Sequence, residues 1–381
     1  MMNKNVLQES SLTEFEVKGL SKKYSFADGH AYQDIPKAFK DTFDQLSSIW
    51  QKSIKESHAT LEDNFKTKFG QLMGSNALIN HNCFSICPTA SNSIDITGAW
   101  LSSKGYKTGL IEPSFDNIYL LFKRRGVDVF PIPENDFLDI VTLRERVREN
   151  GLNCLALVSP NNPTGFKLSK EEFRELSNFC KEENLMLVLD TTFRFFANEV
   201  YDEYSIILHD NIDFVVIEDT GKTFPTLDLK VSLMVYSNSI TREMRLLYEE
   251  IYLCTSKISL SLLSELVTIT HRVGWDEIIW NDLNFRKQKL IEAVEGTGLK
   301  IVESSGRCNL PVVWLSTEDT QLTGLELYEF LEQYDLFVLP GRMFYWNSPS
   351  ANQYFIRMSL FTAMELLISG LEKFSQALRK L

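Results

Sequence analysis

The sequence predicts an α/β protein: a large unit built on a mainly parallel, doubly wound sheet, followed by a smaller α+β unit at the C-terminus. Three observations predict it. From Ala77 to Tyr236 short strand-like runs alternate with helical stretches, the pattern of strands linked by crossover helices. Runs such as Phe214-Val215-Val216-Ile217 look buried and end in polar residues, as strands do at the carboxyl edge of such a sheet. Beyond residue 300 strands and helices follow in a looser α+β order.

The elements follow in order. Residues 1–36 show no strong periodicity and are expected to pack on the body as an N-terminal arm, with a turn at Asp28-Gly29. From about Pro36 to Met73 the spacing of Phe39, Phe43, Leu46, Trp50 and Ile54 predicts one long helix with that face buried. Asn82–Cys87 reads as a strand, Pro88–Ser93 as a small polar turn and Ile94–Lys104 as a helix. A strand, a turn of hydroxyl residues and a helix start form an anion site, because helix N-termini present free N–H groups; Ser and Thr also favour an ordinary cap there.

Thr108–Glu112, Val127–Ile132 and Cys154–Val158 are strands, with helices to Arg125 and over Leu143–Glu149. Ser169 caps a helix through Glu182, with Glu172 in the capping-box position. Leu185–Leu189, Phe214–Ile217 and Val231–Tyr236 complete the strands of the large unit. The pattern is helical from Arg242 to about Val294. Pro311–Leu315, Leu336–Leu339 and Tyr354–Leu360 are strands, Glu326–Gln333 is a helix, and the last helix starts near Ala363. The expected organisation is an arm (1–36), a large unit (37–275) and a small C-terminal unit (276–381).

Composition narrows the function. The 381 residues, 44% apolar and 24% charged, can bury a large core. A net charge of -12 argues against nucleic-acid and anionic-membrane partners, which need a basic footprint, and tolerates a cationic substrate. Six scattered cysteines, without metal-site spacing, read as reduced thiols of a cytosolic protein, and no metal site is expected. The polar N-terminus lacks an apolar signal region, and no apolar run reaches membrane-span length.

The chemistry centres on Ile217–Pro225. A strand that ends in Glu218-Asp219 and then offers Lys222 places an amine at the carboxyl edge of the sheet. A lysine in a semi-enclosed site loses its proton readily and attacks carbonyls to form a Schiff base. Asn162-Pro163-Thr164-Gly165, Asp190, Lys222 and Arg357 stand in a fixed order. In these landmarks the sequence resembles, over nearly its whole length, the fold-type I pyridoxal-phosphate enzymes of the aspartate aminotransferase superfamily.

The resemblance implies the roles. Lys222 would bind pyridoxal 5'-phosphate covalently and move protons at the substrate Cα. Asp190 would pair with the pyridine nitrogen, Asn162 with the phenolic oxygen, and Phe115 would stack on the ring. Thr89 and Ser91 would hold the phosphate, Thr192 belongs to the same cofactor set, and Arg357 would fork the substrate carboxylate. Each has a plainer reading as a cap, a core aspartate or a strand arginine. Three positions depart from the common pattern: Phe193 replaces the usual tyrosine, Lys230 replaces an arginine at the phosphate, and Asp219 replaces a serine.

A narrower resemblance fits these departures. Phe26–Ala31, Pro113–Ile118, Asp190–Arg194 and Val216–Lys230 look like the pyridoxal-phosphate-dependent L-arginine oxidases and hydroxylases. Those enzymes use dioxygen to convert arginine to 2-oxo acids, some 4-hydroxylated, releasing ammonia and hydrogen peroxide. The resemblance implies an arm that closes over the site with Thr13, Glu16 and His30. Glu16 and Asp219 would face the guanidinium, and His30 would act in acid–base or water handling. Glu112 stands where that group carries histidine. The alternatives are a cyclase acting on hydroxyarginine, an aminotransferase, or a non-enzymatic regulatory domain; Phe193 and Asp219 disfavour the aminotransferase. A homodimer with sites at its interface is expected, with a guanidino amino acid such as L-arginine as substrate.

Overall fold

Thirteen short strands appear in the computed structural model, which describes residues 11–302 and 306–381. In chain order they are β1 (Tyr24–Ser25), β2 (Phe84–Cys87), β3 (Lys107–Glu112), β4 (Asp128–Pro133), β5 (Cys154–Val158), β6 (Met186–Asp190) and β7 (Phe214–Asp219). They continue with β8 (Ser232–Tyr236), β9 (Lys300–Ile301), β10 (Val312–Ser316), β11 (Leu336–Phe337), β12 (Leu339–Pro340) and β13 (Phe355–Ser359).

The large sheet has seven strands in the order β2-β8-β7-β6-β5-β3-β4. All of its pairings are parallel except those of β8, which runs against both neighbours. The cause is local. Residues 220–231 link β7 to β8 without the crossover helix a parallel return needs, so the chain doubles back. That hairpin-like link carries Lys222. Every residue of β5, β6, β7 and β8 is buried, as strands covered on both faces must be. The fold is thus the expected α/β type with a mostly parallel sheet. The C-terminal region holds an antiparallel sheet, β12-β13-β10-β9. We propose the division at 275/276, because the helix Lys257–Val273 ends at Gly274, whose φ of +90° stops it.

Four expectations change. The stretch from Pro36 to Met73 is a 3₁₀ turn (Lys37–Phe39) and three helices (Lys40–Asp44, Leu46–Lys55, His58–Met73), broken where Glu56 turns extended and Ser57 caps the next helix. Of its predicted buried face only Phe39 is fully inside, whereas Leu46, Trp50 and Ile54 are 38%, 54% and 60% exposed. The middle helix rests on the body through Ile49 and Ser53 instead. The arm, read as aperiodic, contains a helix (Leu12–Leu20) and β1, which pairs with β11; its residues 1–10 lie outside the described residues. The expected polar turn at Pro88–Ser93 is largely the first turn of the helix Ala90–Ser103, capped by Thr89. Leu336–Leu339 is split between two sheets, β11 pairing with the arm and β12 with β13.

Behind the sheet edge lies a buried ionic cluster. Arg194 donates from Nε and Nη2 to Glu218 at 2.9 and 2.8 Å and pairs through Nη1 with Glu203, while Tyr204 donates to Glu218 at 2.9 Å. The mutual pairing satisfies charges that could not stay buried singly. It braces the end of β7 next to Asp219. All six cysteines stand unpaired.

Candidate active site

The carboxyl ends of β5, β6 and β7 open into one cavity of about 360 Å³, walled by Val158, Asp190 and Asp219, the last residues of those strands. Ligands gather at this edge of open α/β sheets. All thirteen residues to which the resemblance gives a role at the site line this cavity. The large unit contributes Thr89, Ser91, Phe115, Asn162, Asp190, Thr192, Asp219, Lys222 and Lys230, the arm contributes Thr13, Glu16 and His30, and β13 contributes Arg357.

Lys222 sits half-buried on a tight turn. Asp219 Oδ2 accepts the backbone N–H groups of Gly221 at 2.8 Å and Lys222 at 3.2 Å, so this carboxylate shapes the turn that presents the amine. Asp190 is 8% exposed, and its Oδ1 accepts Thr192 N–H at 2.9 Å and Thr192 Oγ1 at 2.5 Å. Burial pushes its carboxyl up to about 6, with the Thr192 hydrogen bonds opposing. A cation against it would restore the charged form. Phe193, in place of the usual tyrosine, packs into the wall and onto Phe196.

Asn162 stands on a braced turn. Asn161 Nδ2 donates to Glu134 Oε1 and to the Pro113 carbonyl, both at 2.6 Å, and Thr164 Oγ1 donates to the same Glu134 oxygen. Burial raises Glu134 to about 7, with those hydrogen bonds opposing. The sequence did not point to Glu134, because it lies far from the Asn-Pro-Thr-Gly turn in the chain. Thr89 caps the helix Ala90–Ser103 and Ser91 Oγ accepts from Asn117 Nδ2 at 2.8 Å, so hydroxyls and a helix N-terminus face the cavity together. Asn117 also escaped the sequence reading.

Arg357 is 0% exposed. Its Nη2 donates to Glu16 Oε1 at 3.1 Å, while Nε and Nη1 have no partner among the described residues. Burial lowers this guanidinium from its ordinary range, with Glu16 opposing. Burial likewise raises Glu16. Glu16 therefore pairs first with an arginine of the protein. The arm passes close over this point: a Cβ built on Gly29 would be in ordinary contact, 3.5 Å from Arg357 Nη1 and 3.9 Å from Lys222 Nζ.

His30 follows. Its Nε2 lies 2.7 Å from Lys230 Nζ, and Nδ1 contacts Asp28 Oδ1. An ammonium only donates, so Nε2 accepts and the ring proton is assigned to Nδ1, facing Asp28. Burial of Asp28 opposes its ionisation, but the His30 contacts hold its carboxyl well below the usual range. Lys230 also bonds Asp228 Oδ1 at 2.8 Å. Asp28 appeared in the sequence as a turn residue; its place two residues before His30 was the available signal. Glu112 does not line the cavity: its Oε1 accepts the Asn347 backbone N–H at 2.7 Å and ties down a loop.

The donor set fits pyridoxal phosphate. Asp190 is a buried carboxylate facing the cavity, Asn162 Oδ1 is buried without a partner among the described residues, and Phe115 offers an aromatic wall. The amide of Asn162 can turn either polar atom inward.

Site and fold define a pyridoxal-phosphate enzyme of fold type I. Residues 21–367 match the aminotransferase class I and II family, and the chain belongs to it. It is 22% identical over 272 residues to an aromatic-amino-acid aminotransferase 2 of Thermococcus litoralis, covering 70% of this chain and 68% of that one. It is 23% identical over 273 residues to an aspartate aminotransferase of Pyrococcus abyssi, with the same coverage of 70% and 68%. Among solved structures, MppP soaked with the product 2-ketoarginine superposes with a TM-score of 0.83 at 27% identity, covering 93% of this chain and 99% of that one. Aspartate aminotransferase from Thermus thermophilus with maleate superposes at 0.77 and 18% identity, covering 99% and 100%, a likeness of fold alone. Among the described residues no single helix is long and apolar enough to cross a membrane.

Proposed function

We propose that the protein oxidises L-arginine with dioxygen and water to 2-oxo-5-guanidinovalerate, ammonia and hydrogen peroxide, with a 4-hydroxylated 2-oxo acid as a further product. The charge layout of the cavity carries the reading. A buried arginine with two free donors lies in the same cavity as the carboxylates of Glu16 and Asp219, under an arm that brings His30 beside them. MppP, the neighbour at 27% identity, supports it, because 2-ketoarginine is the 2-oxo acid this reaction forms.

When bound, pyridoxal phosphate supplies an electron sink for the pair released as the substrate Cα loses its proton. Arg357 takes the substrate carboxylate on Nη1 and the second N–H of Nη2, and the planar fork fixes the orientation. Glu16, with Oε1 on Arg357, has Oε2 for the guanidinium, alongside Thr13 and Asp219. Lys222 moves the Cα proton. Asp190 would pair with the ring nitrogen, and Thr89, Ser91 and Lys230 would hold the phosphate. His30, oriented by Asp28, handles protons at Nε2. The arm excludes water while this occurs. The test is mass balance under air with no added 2-oxo acid: ammonia equals the sum of the plain and 4-hydroxylated 2-oxo acids. A strict need for a 2-oxo acid acceptor would favour amino transfer instead.

His30→Ala is expected to leave arginine binding intact and to change the ratio of the 4-hydroxylated to the plain 2-oxo acid. Chromatographic product analysis reads this, and an unchanged ratio would make His30 structural.

We also propose a homodimer. Leu46, Trp50 and Ile54 form an exposed stripe at helical spacing, and Leu227 (81% exposed) projects from the lysine-bearing link. Exposed apolar surface of this kind fits a second copy of the chain. Sedimentation velocity at micromolar concentration is expected to show a dimer; an active monomer at every concentration would contradict it.

A further inference from the structure

Asp116 lies outside the cavity, yet it touches the arm. Its Oδ2 accepts the Leu12 backbone N–H at 2.8 Å, across 104 residues of sequence. Leu12 opens the arm helix and is 0% exposed; Asp116 is 5% exposed. Asp116 also opens the helix Asp116–Arg124, immediately after Phe115 in the cavity wall. The bond therefore joins the arm to that wall. Helix starts have N–H groups with no partner inside the helix, which an acceptor oxygen satisfies in either protonation state.

We propose that Asp116 is the latch of the arm, a positioning residue that fixes the start of the helix Leu12–Leu20 and so sets where Thr13 and Glu16 enter the cavity. The inference rests on the reading in which the arm takes part in the site. The geometry makes the latch effective. Glu16 follows Leu12 by one helical turn, so the helix is held at its first residue by Asp116 and one turn later by Arg357. Ser11 caps the same end through the Glu14 N–H.

The latch also responds to pH. Glu14 and Glu16 face Asp116 from the arm, Arg342 from the turn Gly341–Phe344, and Tyr119 from its own helix. Oδ1 is buried without a partner among the described residues. Burial pushes the carboxyl from its ordinary 3.8 up to about 7, with the Leu12 N–H opposing. Leu12 packs on Asp116 and helps to bury it, and Glu14 and Glu16 add repulsion, against the Leu12 N–H, so the docked arm holds the proton more tightly than an open one. Docking is strongest with Asp116 protonated and weakens as pH rises towards about 7.

Limited trypsin digestion of the holoenzyme at Lys18, Lys22 and Lys23 reads the docking, at about pH 6 and about pH 8, normalised to a reference peptide. Asp116→Ala is expected to speed arm cleavage about ten-fold or more at the lower pH and to raise KM for arginine more than it changes kcat. Asp116→Asn keeps an acceptor for Leu12, so it should retain protection at the lower pH and lose the change between the two. Should Asp116→Ala fail to fold or to hold cofactor, the pH profile of Asp116→Asn decides: a flat profile supports the latch and a wild-type profile overturns it. Wild-type cleavage in both variants at both pH values also overturns it. Digestion reads docking whatever the substrate, so the latch can stand if arginine is not oxidised, and fail if it is.

Discussion

Lys222→Ala is expected to abolish covalent attachment of the cofactor. Borohydride reduction followed by peptide mass spectrometry should find the reduced pyridoxyl adduct at Lys222 in the wild type and at no lysine in the variant. Turnover should fall by about 10³-fold or more, the scale of losing a group that serves both as nucleophile and as proton carrier. The substitution is clean because the turn is held by backbone N–H groups on Asp219, not by the lysine side chain. Alanine therefore leaves the cavity wall in place. An adduct that persists at another lysine with wild-type turnover would remove Lys222 from the centre of the chemistry.

Arg357→Ala is expected to lower kcat/KM for arginine on the order of 10²- to 10³-fold. Truncating one partner of a buried charge pair costs about 2–5 kcal/mol, much of it from the charge left behind. Here that charge is Glu16, itself half-buried and bonded to Nη2. A role in holding the substrate carboxylate makes a sharper demand. Agmatine is arginine without that carboxylate, so wild type should bind arginine far better and Arg357→Ala should lose the distinction. Arg357→Lys should recover little, because an ammonium cannot fork a carboxylate. Competition binding measures the ratio; an arginine-to-agmatine preference that survives in the alanine variant would place the carboxylate elsewhere.

The parts of this protein that were legible in the sequence are those set by local pattern. The runs at Cys154–Val158 and Phe214–Ile217 and the capping box at Ser169 and Glu172 are short-range signals, whereas the order Asn162, Asp190, Lys222, Arg357 spans half the chain and was legible through the family resemblance. The structure brings the thirteen chosen residues to one cavity because most of them stand at the ends of the large-sheet strands or in the segments that follow those ends. What escaped depends on partners distant in the chain. The arm helix has one fully buried apolar side chain, Leu12, and bonds to Asp116, so its periodicity was too weak to see. Glu16 was read as a contact for the substrate guanidinium; its bond to Arg357, 341 residues away, was not foreseen. The stripe of Leu46, Trp50 and Ile54 has core periodicity, yet tertiary packing turned the helix so that Ile49 and Ser53 face inward. Pattern records that a face is apolar, not what covers it.

The most direct measurement is an oxygen-electrode trace on adding L-arginine to the holoenzyme with no 2-oxo acid present. The arginine-oxidation account predicts immediate oxygen uptake, partly returned on adding catalase as hydrogen peroxide is consumed. A flat trace, with arginine turned over only after a 2-oxo acid is supplied, would contradict it.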